Sequence, residues 1–445
     1  MRWRDIELLV VCTFLMLAIA EFIQVEVQIR IFGPNLLHPR IWQYAVIFVI
    51  MVSNPQAFTS KTMVIIYIYT IFYVLMGLVG YYLPERYEIA GKSPYRLVPL
   101  GWAVIVLMRE HYFRQEKLAD LRIVLKVAWF AFILACLTSL FVIIRNPGAV
   151  RGTEVTFIEE DVRSFRGSGL GGYGFFSSLP FLIPIIFYYL KNHLTYRKGK
   201  TLSLFVLLGL FLYTSYKGVI IAPFLIAITT IILSALGRRR FRSSLAIVIL
   251  IVLTFTLMPK NVIGGALIDI SEVVPNRDMS TKFRDLGVSY ITGLEIVESA
   301  EGSSNTVEHR ASRIATNLDQ FRKYPLLGAG VQGNPHLFWL NQLAHFGLIG
   351  IFPLIWLLVV LFGYIKKFDD EYKFYYFLSF LSYVFLLFIK ANGGYHFMLA
   401  VFFIAPGSYY LSHDFSQSQV TSPEVSGVRQ PATARNRLSV ENDTN

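Results

Sequence analysis

Apolar runs of nearly membrane-spanning length follow one another along most of this 445-residue chain. An α-helix needs roughly 20 such residues to cross the hydrocarbon layer of a bilayer. Hydrophobic residues make up 55% of the chain and charged residues 16%, which is too apolar for an ordinary soluble domain of this size. We therefore predict an all-α polytopic membrane protein with about 12 transmembrane helices. The predicted spans are centred near Phe14, Val46, Tyr69, Ala103, Leu134, Phe181, Leu208, Ile226, Leu250, Leu358, Phe380 and Phe402.

Basic residues cluster in particular connectors between these spans. Segment 109–126 holds five of them, 191–200 four, 237–242 four and 366–373 three. With twelve spans, all four connectors fall on one side, which the positive-inside rule identifies as the cytoplasm. Both termini are then predicted to be cytoplasmic. The same rule accounts for the net charge of +12 without a nucleic-acid partner.

Longer segments are left on the opposite side, namely 25–39, 81–96, 145–172 and 259–335. Only the last is large enough to fold on its own. An integral membrane domain is predicted over residues 1–411, with loop 259–335 included. Residues 412–445 are rich in small and polar residues and poor in apolar ones, which predicts a disordered cytoplasmic tail.

An amphipathic helix of about 15 residues, lying on or near the membrane, is predicted within loop 259–335. Asn305 is a suitable N-cap with Glu308 three residues on, and Pro325 ends the helical pattern. Between them, apolar residues recur at helical spacing. These apolar positions are Ile314, Leu318 and Phe321.

One strip of this predicted helix carries Arg310, Arg313 and Asn317, at positions i, i+3 and i+7. Two guanidiniums one turn apart are suited to gripping a phosphate or diphosphate, because each is a rigid fork of donors that keeps its charge. Arg322 and Lys323 add positive charge to the same stretch. A solvated polar face is the alternative interpretation.

His336 stands where the loop ends and the next apolar run begins. With an ordinary pKa near 6.5, an imidazole at that position is suited to accept a hydroxyl proton near neutral pH. An anchor at the membrane interface is the alternative role. His345, nine residues further into the apolar run, is the competing imidazole, since ionisable residues are unusual at that depth.

A second basic cluster lies on the side that the positive-inside rule should leave poor in arginine. Segment 145–172 carries Arg145, Arg151, Arg163 and Arg166. Lys217 interrupts two apolar runs at the same level, where it either extends to the interface or faces an anion. No metal-ligand cluster, nucleotide loop or serine-hydrolase motif is present, and Cys12 and Cys136 lie within apolar runs with no predicted role.

The pattern that runs from Arg310 through Pro325-Leu-Leu-Gly-Ala-Gly330 and His336 to Gly347-Leu-Ile-Gly350 is similar to the signature of the bacterial O-antigen ligase and O-antigen polymerase superfamily. Upstream, Arg166-Gly-Ser-Gly169 resembles the family's Arg-x-x-Gly motif, and Ser215-Tyr-Lys217-Gly218 resembles its Ser-Arg-Gly motif.

Two stretches, Arg163 to Gly174 and Arg322 to Gly333, fit the Arg-x10-Gly pattern of polymerase loops. The chain departs from the family where Leu337 replaces an Asn and Lys217 replaces an Arg. The Asn that the family has downstream of Arg166 is absent.

This resemblance implies about a dozen spans and one large periplasmic loop. It also implies a metal-independent, GT-C-like glycosyltransferase of the inner membrane that uses no cofactor. Such enzymes transfer a glycan from undecaprenyl diphosphate to a sugar hydroxyl at the periplasmic face. Arg310 and His336 would be catalytic, neutralising the departing diphosphate and deprotonating the attacking hydroxyl. The implied substrate-binding residues are Arg313, Lys217, Arg166, Arg163 and Arg322.

The acceptor distinguishes the two activities within the family. It is a second lipid-linked repeat unit in a polymerase and lipid A-core in a ligase. We expect a polymerase, because of the Arg-x10-Gly matches and the divergent His336-Leu337 pair. A ligase and a transporter or flippase of polysaccharide intermediates are the alternatives. The expected partners are an undecaprenyl-diphosphate-linked oligosaccharide and membrane lipids, with a chain-length regulator as a further candidate.

Overall fold

The computed structural model describes residues 2–21, 39–82, 100–114, 117–145, 173–192, 226, 229–234, 260–273, 280, 284, 287–288, 291, 306–329, 337–389 and 395–412. Helices and short turns account for these residues, and no strand occurs among them. The all-α class predicted from the apolar runs is therefore confirmed for this part of the chain. Segments 25–39, 81–96 and 145–172 and the tail lie almost wholly outside it.

The helices follow in chain order as α1 (Trp3–Glu21), α2 (Pro39–Ser53), α3 (Lys61–Tyr82), α4 (Leu100–Tyr112), α5 (Leu118–Arg145), α6 (Tyr173–Asn192), α7 (Lys260–Val273), α8 (Thr306–Lys323), α9 (Phe338–Phe362), α10 (Asp370–Ile389), α11 (Tyr395–Leu399) and α12 (Ala405–Ser412). Short 3-10 helices, Pro55–Thr59 and Gly363–Lys367, follow α2 and α9. A π-helical turn, Ala400–Ile404, joins α11 to α12.

Two stretches of the described helices are long and apolar enough to cross a membrane. They are Leu118–Phe141, with 24 residues, and Phe338–Lys367, with 30. Shorter apolar helices cover Ile41–Ser53, Lys61–Leu75 and His396–Leu411. All predicted span centres except Leu208 and Leu250, which lie outside the described residues, fall on helical backbone. The total of about twelve spans stays a prediction.

Aromatic side chains fill the contacts between the apolar helices. α6 packs closely on α10, where the rings of Tyr188 and Tyr372 are 4.7 Å apart and those of Phe181 and Tyr383 are 5.7 Å apart. The Tyr372 hydroxyl also donates a hydrogen bond to the carbonyl of Ala405. Large rings bury much area with few rotatable bonds, so they fix these helices relative to one another.

Residues of three basic connectors make contacts at one end of the described helices. Arg109 donates to the carbonyl of Leu361 at the end of α9, at 3.3 Å, and Arg122 donates to the carbonyl of Tyr410, at 3.1 Å. Lys191 pairs with Glu371 at 2.9 Å, and this hydrogen bond raises the pKa of the Lys191 ammonium group. These contacts lie at the opposite end of α9 from its first residue, and connector 237–242 lies outside the described residues.

A buried contact between a carboxylate and an imidazole ties α1 to α4. His111 Nε2 and Glu7 Oε1 are 2.7 Å apart, and both side chains are only 1% exposed. Lys117 lies 3.5 Å from the other carboxylate oxygen of Glu7. Breaking such an enclosed pair strands a buried charge, so these residues hold α1 firmly against α4.

Candidate functional site

The helix predicted in loop 259–335 is confirmed as α8, which has 18 residues and ends at Lys323, and its place on or near the membrane stays a prediction. Pro325 accounts for this end, because proline lacks the N–H that a helix needs and disfavours helical backbone at the residue before it. α8 packs mainly against α9. The backbone positions of Arg310 and Arg313 lie within α8, and their side chains lie outside the described part of the structure.

Residues 325–329, which we call the docked turn, insert into a break in α9. Three backbone hydrogen bonds join them: Ala329 N–H to Ala344 O at 2.8 Å, Leu348 N–H to Pro325 O at 2.9 Å, and Ile349 N–H to Leu326 O at 3.0 Å. In an unbroken helix, Ala344 O would accept its hydrogen bond from Leu348 N–H. The docked turn thus replaces the missing helical hydrogen bonds and satisfies backbone groups that lipid cannot pair.

Glycine is required on both sides of this contact. Gly347 has φ 65° and ψ −169° in the middle of α9, a conformation that is essentially limited to glycine. A Cβ at Gly347 would lie 2.5 Å from Gly328 N and closer still to the carbonyl of Leu326. Gly328 has φ 73°, and a Cβ there would overlap the carbonyl of His345. Neither position accepts a side chain without moving the turn away from the helix.

The docked turn is a continuation of α8. Tyr324 N–H donates to Gln320 O at 3.0 Å, and Gly328 N–H donates to Tyr324 O at 2.9 Å. The backbone of Tyr324 therefore links the last turn of α8 to the docked turn through one hydrogen bond on each side. As a result, the turn fixes the C-terminal end of α8 against α9.

Helix geometry gives the distances from the docked turn to Arg310 and to the start of α9. Arg310 lies fifteen residues before Pro325, about 22 Å along a helix that rises 1.5 Å per residue. α9 begins at Phe338, six residues before Ala344, which is about 9 Å along its axis. The Arg310 backbone and the start of α9 are thus both held relative to one anchor, the docked turn.

Aromatic rings from α3 and α4 support the first turns of α9. Tyr69 and Trp102 are nearly parallel, with ring centres 6.0 Å apart. The Tyr69 hydroxyl donates to Gln342 Oε1 at 3.0 Å, and its ring lies 5.9 Å from that of Phe346. This packing holds the first turns of α9 against α3 and α4.

Carboxamides lie on the protected face of α8. Asn317 is 0% exposed, and neither its Nδ2 nor its Oδ1 atom has a hydrogen-bond partner. The buried Oε1 of Gln320 also has none. By contrast, the apolar Ile314 is 38% exposed, so the enclosed face of α8 is the one that bears Asn317. Enclosing an unpaired amide costs about 1–3 kcal/mol.

Arg322, predicted as a substrate ligand, is exposed in the last turn of α8. No carboxylate of the described chain forms an ion pair with it. Lys323, beside it, has its ammonium group 5.5 Å from the ring centre of Tyr324. Cations at a helix C-terminus are favoured by the helix dipole whatever their function, so the role of Arg322 in substrate binding stays a prediction.

The other predicted site residues fall outside the described structure. They are His336, Lys217, Arg163 and Arg166. The competing imidazole, His345, lies in α9 beside the break and is 8% exposed. Its ring centre is 4.2 Å from that of Phe346 and 6.2 Å from that of Tyr73. His345 thus belongs to the aromatic packing beneath the docked turn.

Two features of the site were not predicted from the sequence, namely the docking of the turn against Gly347 and the enclosure of Asn317. Paired Gly-containing motifs about twenty residues apart were the available signal for the first. Among the described residues, no group of three or more His, Cys, Asp or Glu side chains is placed to hold a metal ion.

Comparison with protein-family models and with curated protein sequences finds no match to this chain.

Proposed function

We propose that this protein is an inner-membrane glycosyltransferase that joins lipid-linked oligosaccharide repeat units into a surface polysaccharide, as O-antigen polymerases do. The docked turn is the observation that most supports this proposal. It joins the Pro-Leu-Leu-Gly segment at Pro325 to the Gly-Leu-Ile-Gly segment at Gly347, the two motifs on which the resemblance mainly rests. It also ends the helix that contains Arg310 and Arg313.

The proposed reaction exchanges one bond at an anomeric carbon for another. The bond from that carbon to the diphosphate oxygen of the undecaprenyl carrier breaks, and a bond to the acceptor hydroxyl oxygen forms. His336 takes the hydroxyl proton as general base. Arg310, with Arg313, stabilises the negative charge that grows on the departing diphosphate. Lys217, Arg166, Arg163 and Arg322 bind the two substrates.

The arrangement of charges along α9 supports a site on the periplasmic side. The end of α9 at Leu361 contacts Arg109, within the basic connectors assigned to the cytoplasm. The docked turn and the start of α9 are near its other end. A lipid-linked glycan presented at the periplasmic surface would meet α8 there.

The experiment that tests this proposal is deletion of the gene in its source bacterium, followed by gel analysis of the surface glycan. We expect loss of all ladder bands above a single repeat unit, since polymerisation would stop after the first unit is attached. A ladder that persists on the carrier lipid but is missing from lipid A-core would indicate a ligase instead. An unchanged glycan profile would contradict both activities.

A further inference from the structure

Five of the buried polar atoms that have no hydrogen-bond partner among the described residues lie on α8 and the first turn of α9. They are Asn317 Nδ2 and Oδ1, Gln320 Oε1, Trp339 Nε1 and Asn341 Oδ1. Folded proteins leave few buried polar atoms without a partner. Because α8 packs against α9, two adjoining helices carry hydrogen-bonding groups that neither of them satisfies.

The chemistry of these atoms specifies the ligand that would pair with them. Amide and indole N–H groups donate hydrogen bonds, and amide oxygens accept them. A phosphate offers only acceptors, so it would satisfy the donors and leave the oxygens unpaired. A sugar hydroxyl both donates and accepts. None of these side chains is charged, so the set matches a neutral, polyhydroxylated ligand.

The positions of the amides place them beside the predicted phosphate-binding residues. Asn317 and Gln320 are three residues apart and are therefore neighbours on one face of α8. By helical spacing, they continue the strip that begins with Arg310 and Arg313. In a lipid-linked glycan, the sugars directly follow the diphosphate, so one strip would meet both parts in order.

We propose that Asn317 and Gln320 form a subsite for the sugar hydroxyls of the lipid-linked glycan, next to the arginines that take its diphosphate. This inference rests on the proposed function and names its glycan-binding residues. Asn317 is fully enclosed, so sugar binding includes a local separation of α8 from α9. The docked turn keeps the C-terminal end of α8 attached during that movement.

The test compares the full-length wild-type protein with Asn317→Leu in detergent. The probe is the oligosaccharide released from the native lipid-linked repeat units, which lacks the diphosphate, and binding is measured by saturation-transfer NMR. We expect Asn317→Leu to weaken binding at least tenfold while its thermal unfolding midpoint stays the same or rises, because an unpaired buried amide is replaced by an apolar group of similar size. Ile314→Leu, an apolar exchange on the same helix, should change neither quantity.

Further variants distinguish failure of the subsite from failure of the proposed reaction. Asn317→Ser, which retains a donor and an acceptor, should bind the oligosaccharide better than Asn317→Leu. If the leucine variant does not fold, Gln320→Leu is compared with the wild type instead, and it should also bind the oligosaccharide more weakly. Arg310→Ala should keep oligosaccharide binding near the wild-type level. Equal binding by wild type and Asn317→Leu would overturn the subsite and leave the proposed reaction intact. Conversely, polymerisation that survives in Arg310→Ala would overturn the reaction mechanism and not the subsite.

Discussion

Single glycines decide whether the two sequence motifs meet. At Gly347 the backbone conformation and the nearby Leu326 carbonyl each exclude a Cβ, and at Gly328 the same holds for the carbonyl of His345. These constraints explain the glycine in each motif by geometry. The docked turn forms because the two backbone segments carry no side chain at the positions where they meet.

Replacing Gly347 by Ala should therefore destabilise the protein. Backbone strain at a glycine-only conformation and overlap with the turn together lead us to expect a loss of about 3 kcal/mol in the free energy of unfolding. Denaturation by sodium dodecyl sulfate in mixed micelles measures this free energy of unfolding.

Gly363→Ala is the matched control. Gly363 ends the same helix with φ −54° and has open space around its Cα, so alanine there should leave stability unchanged or raise it by about 0.5–1 kcal/mol. If the Gly347 and Gly363 variants unfold alike, the docked turn does not depend on the glycine.

The sequence predicted the residue types of this contact but not its conformation. The Gly-Leu-Ile-Gly motif was recognisable at Gly347, yet its positive φ arises from a partner about twenty residues earlier in the chain. Similarly, the polarity of Asn317 was visible, but its enclosure depends on how α8 packs against α9. Such long-range contacts leave no trace in local periodicity.

At the scale of elements, α8 acts as a rigid spacer between the docked turn and Arg310. The two backbone hydrogen bonds of Tyr324, one to α8 and one to the docked turn, couple rotation of the helix to the turn. Its end was predictable, because Pro325 is a local stop signal. The break in α9 was not predictable, because the backbone departs from helical geometry at Gly347 where a segment from elsewhere in the chain docks.

Inserting one alanine between Ala315 and Thr316 should misplace Arg310 relative to the turn. An α-helix turns by about 100° and rises 1.5 Å per residue, and displacements near 1 Å at a catalytic group cost about 100-fold in rate. Polymer formation by membranes that contain equal amounts of protein measures the loss.

The same insertion between Gln417 and Ser418, in the tail, is the control and should leave the rate unchanged. A full rate with the Ala315 insertion would show that α8 does not position Arg310.

At the scale of the whole molecule, the contacts of Arg109, Arg122 and Lys191 lie at one end of the helices that the structure describes. The positive-inside rule predicts that this end is cytoplasmic. Loop 259–335, which contains α8, is then predicted to be periplasmic. This prediction can be made from the sequence because it depends only on charge and the order of spans.

Cysteine labelling tests this orientation. In a background with Cys12 and Cys136 replaced by alanine, Ser303→Cys in the loop should react with a membrane-impermeant maleimide in intact spheroplasts. Ser418→Cys in the tail should react only after lysis. The reverse pattern of labelling would place the proposed site on the wrong side of the membrane for a periplasmic donor.

We propose that a cation on α8, and not a metal ion, stabilises the departing diphosphate. The most direct measurement of this claim is polymer formation by the purified protein in lipid vesicles that contain lipid-linked repeat units as the sole substrate, with EDTA present. We predict polymer with the wild-type protein and with Lys366→Ala, an exposed lysine in a basic connector at the far end of α9. Arg310→Ala should lose at least 100-fold in rate, with Arg310→Lys between the two. Polymer formation by Arg310→Ala at the wild-type rate, or a wild-type reaction abolished by EDTA, would contradict the claim.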